Sequence, residues 1–450
     1  MNKLYLNIKT FTLKIHNLIP TSLVKYFSGL IYLYILCAMI FARPFVGLNI
    51  FGFLIGEITI GLALIFSALF LITYSDFFSD FDIKIVRIFK IIFILFLVSS
   101  FVSGSNLANL YTYKTSSYIW TFIILFLAYF LLTKYQFTKT VKLASIFVLP
   151  YIYLISTGNY PNIVIDFFNK YSDKFQFIKA SDLALSLFVV LLYVNKKYRD
   201  EKFKIIFSLF SISAFVPVML FNSRGSIISL IIFAIYFLRY EYKMLIKNKL
   251  FTLVVLLASV AVFFGSTYRV YGNFDFYKEP ESFQVENITE AVKGITKNKD
   301  TAKVFLSFYI QDGYLMSWDP TTDWRLDIWQ DVFYDLKDKN RLLTGYGYKE
   351  IIPVMLDPTA PGRLGRDGLN ENVHNYFVNI LARGGLLQVF MFLFLYLSII
   401  KFYKKKHNDY KIFMLLIPVL ILSSLDVTME GVQFPFIFFT YLGYSLREGI

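Results

Sequence analysis

LFTLVVLLASVAVFFGS, residues 250–266, runs seventeen positions without a charged side chain. Crossing the hydrocarbon core of a bilayer takes roughly 17–25 predominantly apolar residues, so the run reads as a membrane-spanning helix. Arg239, Lys243, Lys247 and Lys249 stand before it, and a long polar stretch, roughly 267–373, follows it. Cationic residues collect on the cytoplasmic side of spanning helices. The basic cluster therefore predicts that 250–266 runs outward and that the polar stretch lies outside.

Working outward from this run, similar ones recur along the 450 residues, which are 57% hydrophobic and 20% aromatic. About twelve are legible, with approximate cores 26–43, 50–74, 85–103, 117–133, 141–157, 177–194, 203–221, 225–239, 250–266, 386–402, 411–425 and 432–446. The expected fold class is all-α, a polytopic membrane protein with one large extracytoplasmic loop domain between spans 9 and 10. Residues 1–25 alternate Lys with Leu, Ile and Phe and show no cleavage site, which predicts a cytoplasmic amphipathic segment. Residues 26–266 would hold helices 1–9, 267–373 the outer loop, and 374–450 helices 10–12.

The remaining basic clusters agree. Lys3, Lys9, Lys14 and Lys25 precede the first span, and Lys84/Arg87/Lys90, Lys134/Lys139/Lys142, Lys196/Lys197/Arg199/Lys202/Lys204 and Lys401/Lys404/Lys405/Lys406/Lys411 fall in alternate loops. Intervening short loops carry only scattered charges such as Arg43, Lys114 and Arg224. Both termini are thus expected in the cytoplasm. The net charge of +14 then belongs to loops facing anionic lipid, while the outer stretch is slightly acidic, and this excludes nucleic acid as a partner. The single cysteine, Cys37, sits within the first span and excludes an internal disulfide or a cysteine-based metal site.

Nine spans, a long outer segment and three more spans are asymmetric. A flippase or small-molecule transporter usually shows two similar halves with its site at the midplane. Polar chemistry here collects on the outer face, which favours an enzyme over a transporter or a scaffold subunit. Within the outer stretch, PTTDWRLDIWQDVFYDLKD (320–338) reads as an amphipathic helix capped by Thr322, with Trp329, Phe333 and Leu336 at helical spacing. LLTGYGYKEI (342–351) is a glycine-punctuated turn, and DPTAPGRLGRDGLNEN (357–372) is a loop.

Of three histidines, His16 and His407 fall on the cytoplasmic side and only His374 faces outward. A helix capped by Asn370 or Asn372 would place it in a first turn, where the positive helix end keeps imidazole neutral, as a general base requires. Read alone, it fits either that role or an interfacial polar residue bonded to the loop. Arg224, in the short outer loop FNSRGSII, either meets an anionic partner or snorkels to lipid phosphates. Arg325 has Trp329 one turn on, placed for a cation–π contact, and equally has Asp323 nearby. The sequence DFD at 80–82 imitates a metal-binding motif but sits in a short cytoplasmic loop, so it is set aside. Glu57 and Asp182 lie near or within spans with no partner nameable from the sequence.

Three blocks, in order, resemble the bacterial O-antigen ligase/O-antigen polymerase superfamily. They are NSRGSIISLIIFAI (222–235), WRLDIWQDVFYDLKDKNRLLTGYGYKEI (324–351) and VHNYFVNILARGGLLQVFMF (373–392). The resemblance covers roughly 220–400. It implies an inverting glycosyltransferase in the inner membrane, requiring no metal or cofactor and acting at the periplasmic face in surface polysaccharide (lipopolysaccharide O-antigen type) biosynthesis. The implied partners are an undecaprenyl-pyrophosphate-linked glycan donor and a glycan or lipid A core acceptor. It further implies His374 as catalytic base and Arg224 and Arg325 as pyrophosphate-binding residues. Asn375, Trp329, Arg363, Arg366 and Arg383 stand near the implied site as candidate supporting residues. Ligase, polymerase and protein O-oligosaccharyltransferase share these blocks, and no residue separates them.

Overall fold

With no water in the bilayer core, a spanning segment must satisfy its backbone polar groups internally, and the apolar runs accordingly become helices. A computed structural model describes residues 6–7, 10–11, 21–63, 65, 81–106, 109–134, 138–158, 160–173, 179–274, 307–360, 362–367 and 371–450. Most of residues 1–25 and the stretch 275–306 lie outside this set, as does Asn370. The described chain is dominated by helices, with two short antiparallel hairpins. Seven of the described helices are long and apolar enough to cross a membrane, by length and composition. The other apolar runs are shorter, broken or charged. Phe413–Leu425 has thirteen residues, and the run expected at 117–133 splits into Ser117–Trp120 and Ile123–Lys134. The core expected at 50–74 starts late: Asn49–Ile50 and Phe53–Leu54 pair as a hairpin, and helix follows from residue 55. Glu57 finds a local partner there, its carboxylate accepting from the Leu54 amide at 3.0 Å.

Five helices position the site. They are α1 (Thr21–Val46), α2 (Ala180–Lys197), α3 (Pro320–Asp338), α4 (Tyr376–His407) and α5 (Phe413–Leu425). The α2 helix is central, almost wholly buried, and touches α1, α5 and the helices Thr138–Ser156, Glu201–Asn222, Arg224–Lys247 and Gln433–Glu448. Peripheral helices present apolar stripes outward, as Leu250, Leu253, Val254 and Leu257 do on Lys249–Tyr271, which is the surface a lipid-facing helix needs.

The α3 helix spans the residues read as amphipathic, but it is capped earlier than expected. Asp319, not Thr322, is the N-cap, its carboxylate accepting from the Thr322 amide at 3.1 Å, with Pro320 opening the helix. Its buried stripe is Trp324, Ile328, Val332 and Leu336, at strict i, i+4 spacing, while Phe333 is exposed. Before it, Phe308–Gln311 and Tyr314–Ser317 form a hairpin whose Asp312-Gly313 turn has positive φ at both residues. An Asp-Gly pair suits that turn.

The glycine-punctuated turn docks on a kink in α4. Gly385 has φ +69° and ψ −175° inside the helix, and the turn satisfies the backbone groups released there. Tyr346 N donates to Ala382 O at 2.7 Å, Gly347 N to Arg383 O at 3.0 Å, and Leu386 N to Leu342 O at 2.9 Å. A Cβ on Gly385 would fall 2.2 Å from the Leu343 carbonyl oxygen. Gly385→Ala combines that clash with a left-handed φ and is expected to lower stability by about 2 kcal/mol or more. Thermal unfolding in detergent checks this, with Gly265→Ala as control because a Cβ there meets open space.

Candidate functional site

His374 sits one residue before the N-cap of α4, not in its first turn. The N-cap is Asn375, whose side-chain oxygen accepts from Phe377 N at 2.9 Å and Val378 N at 3.1 Å. Neither Asn370 nor Asn372 holds that place, because Asn375 already satisfies the first-turn amides. The cap leaves His374 at φ +54°, a left-handed conformation that histidine visits several-fold more often than most residues.

The α3 helix holds this histidine from the other side. The Trp324 ring meets the imidazole edge-on with centroids 5.0 Å apart. Trp329, one turn beyond Arg325, is engaged with the same loop: its indole N–H donates to the Val373 carbonyl at 2.6 Å. Arg325 is half-buried, and its Nε is buried with no hydrogen-bond partner among the described residues. Neighbouring Asp323 is taken, accepting from Ser317 N at 2.7 Å. The structure therefore brings His374, Asn375, Arg325 and Trp329 together.

Arg224 opens the helix Arg224–Lys247, and its side chain lies outside what the structure describes. Its backbone is placed through Gly225, which packs on Leu425 so closely that an added Cβ would come to 3.0 Å. Leu425 ends α5, and Asp426 follows it. The other candidate arginines are occupied elsewhere. Arg363 is fully buried between Asp327 (2.8 Å) and Asp331. Arg366 donates to the backbone carbonyls of Arg363, Pro358 and Ala360. Arg383 donates to the carbonyls of Gly347 and Glu350 and to the Tyr111 hydroxyl at 3.1 Å. All three brace the outer segment.

Around His374 the structure adds charges that sequence reading did not assemble. Lys179 precedes α2 and stands 3.9 Å from Asp426, which also accepts from Ser181 Oγ at 2.7 Å. Arg43, at the outer end of α1, donates to Val427 O at 3.2 Å. Asp182 lies among Arg43, Lys179 and Asp426, with Gln433 in hydrogen-bonding reach. Glu430, in the same loop as Asp426, has both carboxyl oxygens buried and without hydrogen-bond partners among the described residues. A signal for these residues existed. Arg43, Lys179, Asp426 and Glu430 are charges bracketing apolar runs, the argument applied above to Arg224 alone.

The electrostatics follow from burial and cation excess. Burial first, then the charges of Arg325, Lys179 and Arg43, hold His374 well below the usual imidazole range, with Asp426 opposing them. Asp426 ends below the usual carboxylate range: burial pushes it up, but Lys179, the Ser181 hydroxyl, Arg325 and His374 outweigh that. Burial pushes Glu430 up to about 7, with Asp426 adding to it and Lys179 and Arg43 opposing. The result is a buried polar cluster in which a neutral imidazole stands among Arg325, Lys179 and Arg43 and the carboxyl groups of Asp426, Asp182 and Glu430. Such a set suits a reaction that takes a proton from one group while negative charge grows on another.

Residues 209–393 match the family model described as O-antigen ligase. The match contains the three sequence blocks, and with them Arg224, Arg325 and His374, while Arg43, Lys179, Asp426 and Glu430 lie outside it. No curated protein matches the chain. Multiple apolar helices, the three blocks in order and the match over 209–393 lead to one conclusion: the chain is a multi-pass membrane protein in which residues 209–393 form a region of O-antigen ligase type, and this supports a place in the O-antigen ligase/O-antigen polymerase superfamily.

Proposed function

We propose that the protein transfers a glycan from an undecaprenyl-pyrophosphate-linked donor to an acceptor hydroxyl at the periplasmic face of the inner membrane, as an O-antigen ligase or polymerase. One observation carries the reading: the buried His374, held edge-on by Trp324 beside Arg325 on α3, lies within the region that matches the O-antigen ligase model. In this mechanism His374 takes the acceptor proton as the acceptor oxygen bonds to the donor's anomeric carbon. The bond from that carbon to pyrophosphate breaks with inversion, and its electron pair leaves with the lipid pyrophosphate. Arg325, joined by Arg43, Lys179 and Arg224, neutralises the charge growing on that leaving group, so the chemistry asks for no metal. Asp426 stabilises the imidazolium that forms. Asn375 and Trp329 are positioning residues that fix the base.

Reconstitution with a lipid-linked glycan and, separately, a lipid A core, a second lipid-linked repeat or an acceptor polypeptide tests the reading. A glycolipid product supports ligase or polymerase, and a glycosylated polypeptide makes the protein an O-oligosaccharyltransferase. Absence of transfer to every acceptor overturns the proposal.

Glu430 adds a pH dependence. Above about 7 it gains a negative charge beside Arg43 and Lys179 and competes with pyrophosphate for them. The KM for donor is therefore expected to rise with pH through that region, and Glu430→Gln should flatten the rise. Steady-state kinetics at fixed acceptor read both.

A further inference from the structure

Two hairpins of this protein share a turn geometry and differ in what they place at the tip. Each closes through two residues of positive φ, Asp312-Gly313 in one and Phe51-Gly52 in the other. Such a turn prefers Asn or Asp before the glycine, because a bulky side chain is strained in the left-handed region. Asp312 follows that rule. Phe51, at φ +53°, breaks it, in a turn that Asn49 Oδ1 secures by accepting from Gly52 N at 2.9 Å. Phe51 is also 99% exposed, where a polar side chain would cost nothing. A residue that suits neither its backbone nor water points to a contact outside the chain.

The position of the tip identifies that contact. The hairpin follows directly on the spanning helix Lys25–Val46, and residues 44–56 carry no charged side chain. Ile50 and Phe53, which pair across the hairpin, are exposed beside Phe51. Leu48 closes the stem, its carbonyl accepting from Ile55 N at 2.9 Å, and it bridges to Ser172 at the end of a short helix, Asn162–Tyr171. That helix exposes Ile163, Phe167 and Tyr171 at i, i+4 spacing, with Asp166, Asn169 and Lys170 on the turns between. An exposed apolar stripe on an otherwise polar short helix is the pattern of a segment lying in a bilayer interface. Aromatic side chains collect at the same level.

We propose that the Phe51 hairpin and the stripe of Asn162–Tyr171 insert together into the lipid interface, as an anchor that fixes the depth of this end of α1. Gly47 N donates to Arg43 O at 3.1 Å, and Asp173 N donates to Gly47 O at 3.2 Å. The anchor is thereby tied within one turn to Arg43, a residue of the polar cluster, whichever reaction that cluster performs.

Cys37 is the only cysteine, so single labels can be placed on the whole protein. In a Cys37→Ser background, a fluorophore attached at Phe51→Cys is compared with one at Asp312→Cys, the matching position of the other hairpin. The liposomes contain phosphatidylethanolamine and phosphatidylglycerol. Lipids brominated near the glycerol end should quench the label at position 51 and spare the one at 312, and aqueous iodide should do the reverse. Equal quenching of both by iodide puts the tip in water and overturns the proposal. Protection of position 51 from both quenchers means that protein covers the tip, which overturns it as well. Phe51→Asp then tests the anchoring, and it gives this turn the residue pair of the other hairpin, so folding is favoured. A label on the native Cys37 should shift in that variant towards quenching by lipids brominated nearer the headgroup. An unmoved Cys37 would show that the tip sets no depth.

Discussion

His374→Ala is expected to abolish glycan transfer while the protein still inserts and accumulates. An acceptor sugar hydroxyl is a poor nucleophile, and a positioned base contributes typically 10²–10⁴-fold, so the loss should reach about three orders of magnitude. Insertion should survive because only the edge-on Trp324 contact depends on the imidazole, and the ties that fix the loop to both helices do not. Asn375 caps α4 with its own side chain, and Trp329 grips the Val373 carbonyl. The pH profile gives a second signature. With its titration held below the usual imidazole range, His374 stays neutral at pH values where a free imidazole would already be half protonated. The acid limb of kcat/KM should therefore lie below pH ~6.5. Bound pyrophosphate brings negative charge beside the cations that depress His374, so the acid limb of kcat should lie higher than that of kcat/KM. A variant lacking His374 that transfers glycan at the normal rate would end this mechanism.

Arg325→Ala should cost about 10²–10³-fold in kcat, the size seen when one group aimed at developing charge is removed. The residue is half-buried, its Nε has no partner among the described residues, it follows Trp324 on α3, and its charge lowers His374. Its removal has two opposed effects. It deprives the leaving group of a guanidinium, and it relieves one of the charges that lowers His374. The variant should thus be slower but show its acid limb at higher pH. Arg325→Lys should recover part of the rate and most of the pH profile, because an ammonium restores the charge but not the planar fork that matches phosphate oxygens. An Arg325→Ala variant with normal kcat and an unmoved pH profile would remove Arg325 from the site.

The sequence carried most of the long apolar helices and the 320–338 amphipathic segment because each rests on local pattern. It also carried the family through three short blocks whose spacing survives in one dimension. What it could not carry is adjacency across hundreds of residues. Arg43 in the last turn of α1, Lys179 before α2 and Asp426 after α5 meet only when these helices pack. The caps were misplaced for a related reason. Thr322 and Asn372 are plausible capping residues, but Asp319 and Asn375 are the ones with side-chain oxygens on first-turn amides. Likewise Arg363 and Arg383 look like free cations in a loop until folding supplies Asp327, Asp331 and a row of carbonyls.

The kink at Gly385 has a consequence for how the protein tolerates different membranes. A spanning helix tilts when the bilayer is thinner or thicker than its apolar length. In an unbroken α4, that tilt would swing His374 against Trp324. The break at Gly385 separates the short segment below His374 from the span, and the hydrogen bonds to Ala382, Arg383 and Leu342 clamp the junction to the outer turn. A span that tilts below the clamped junction is therefore expected to leave His374 in place against Trp324 as lipid composition changes.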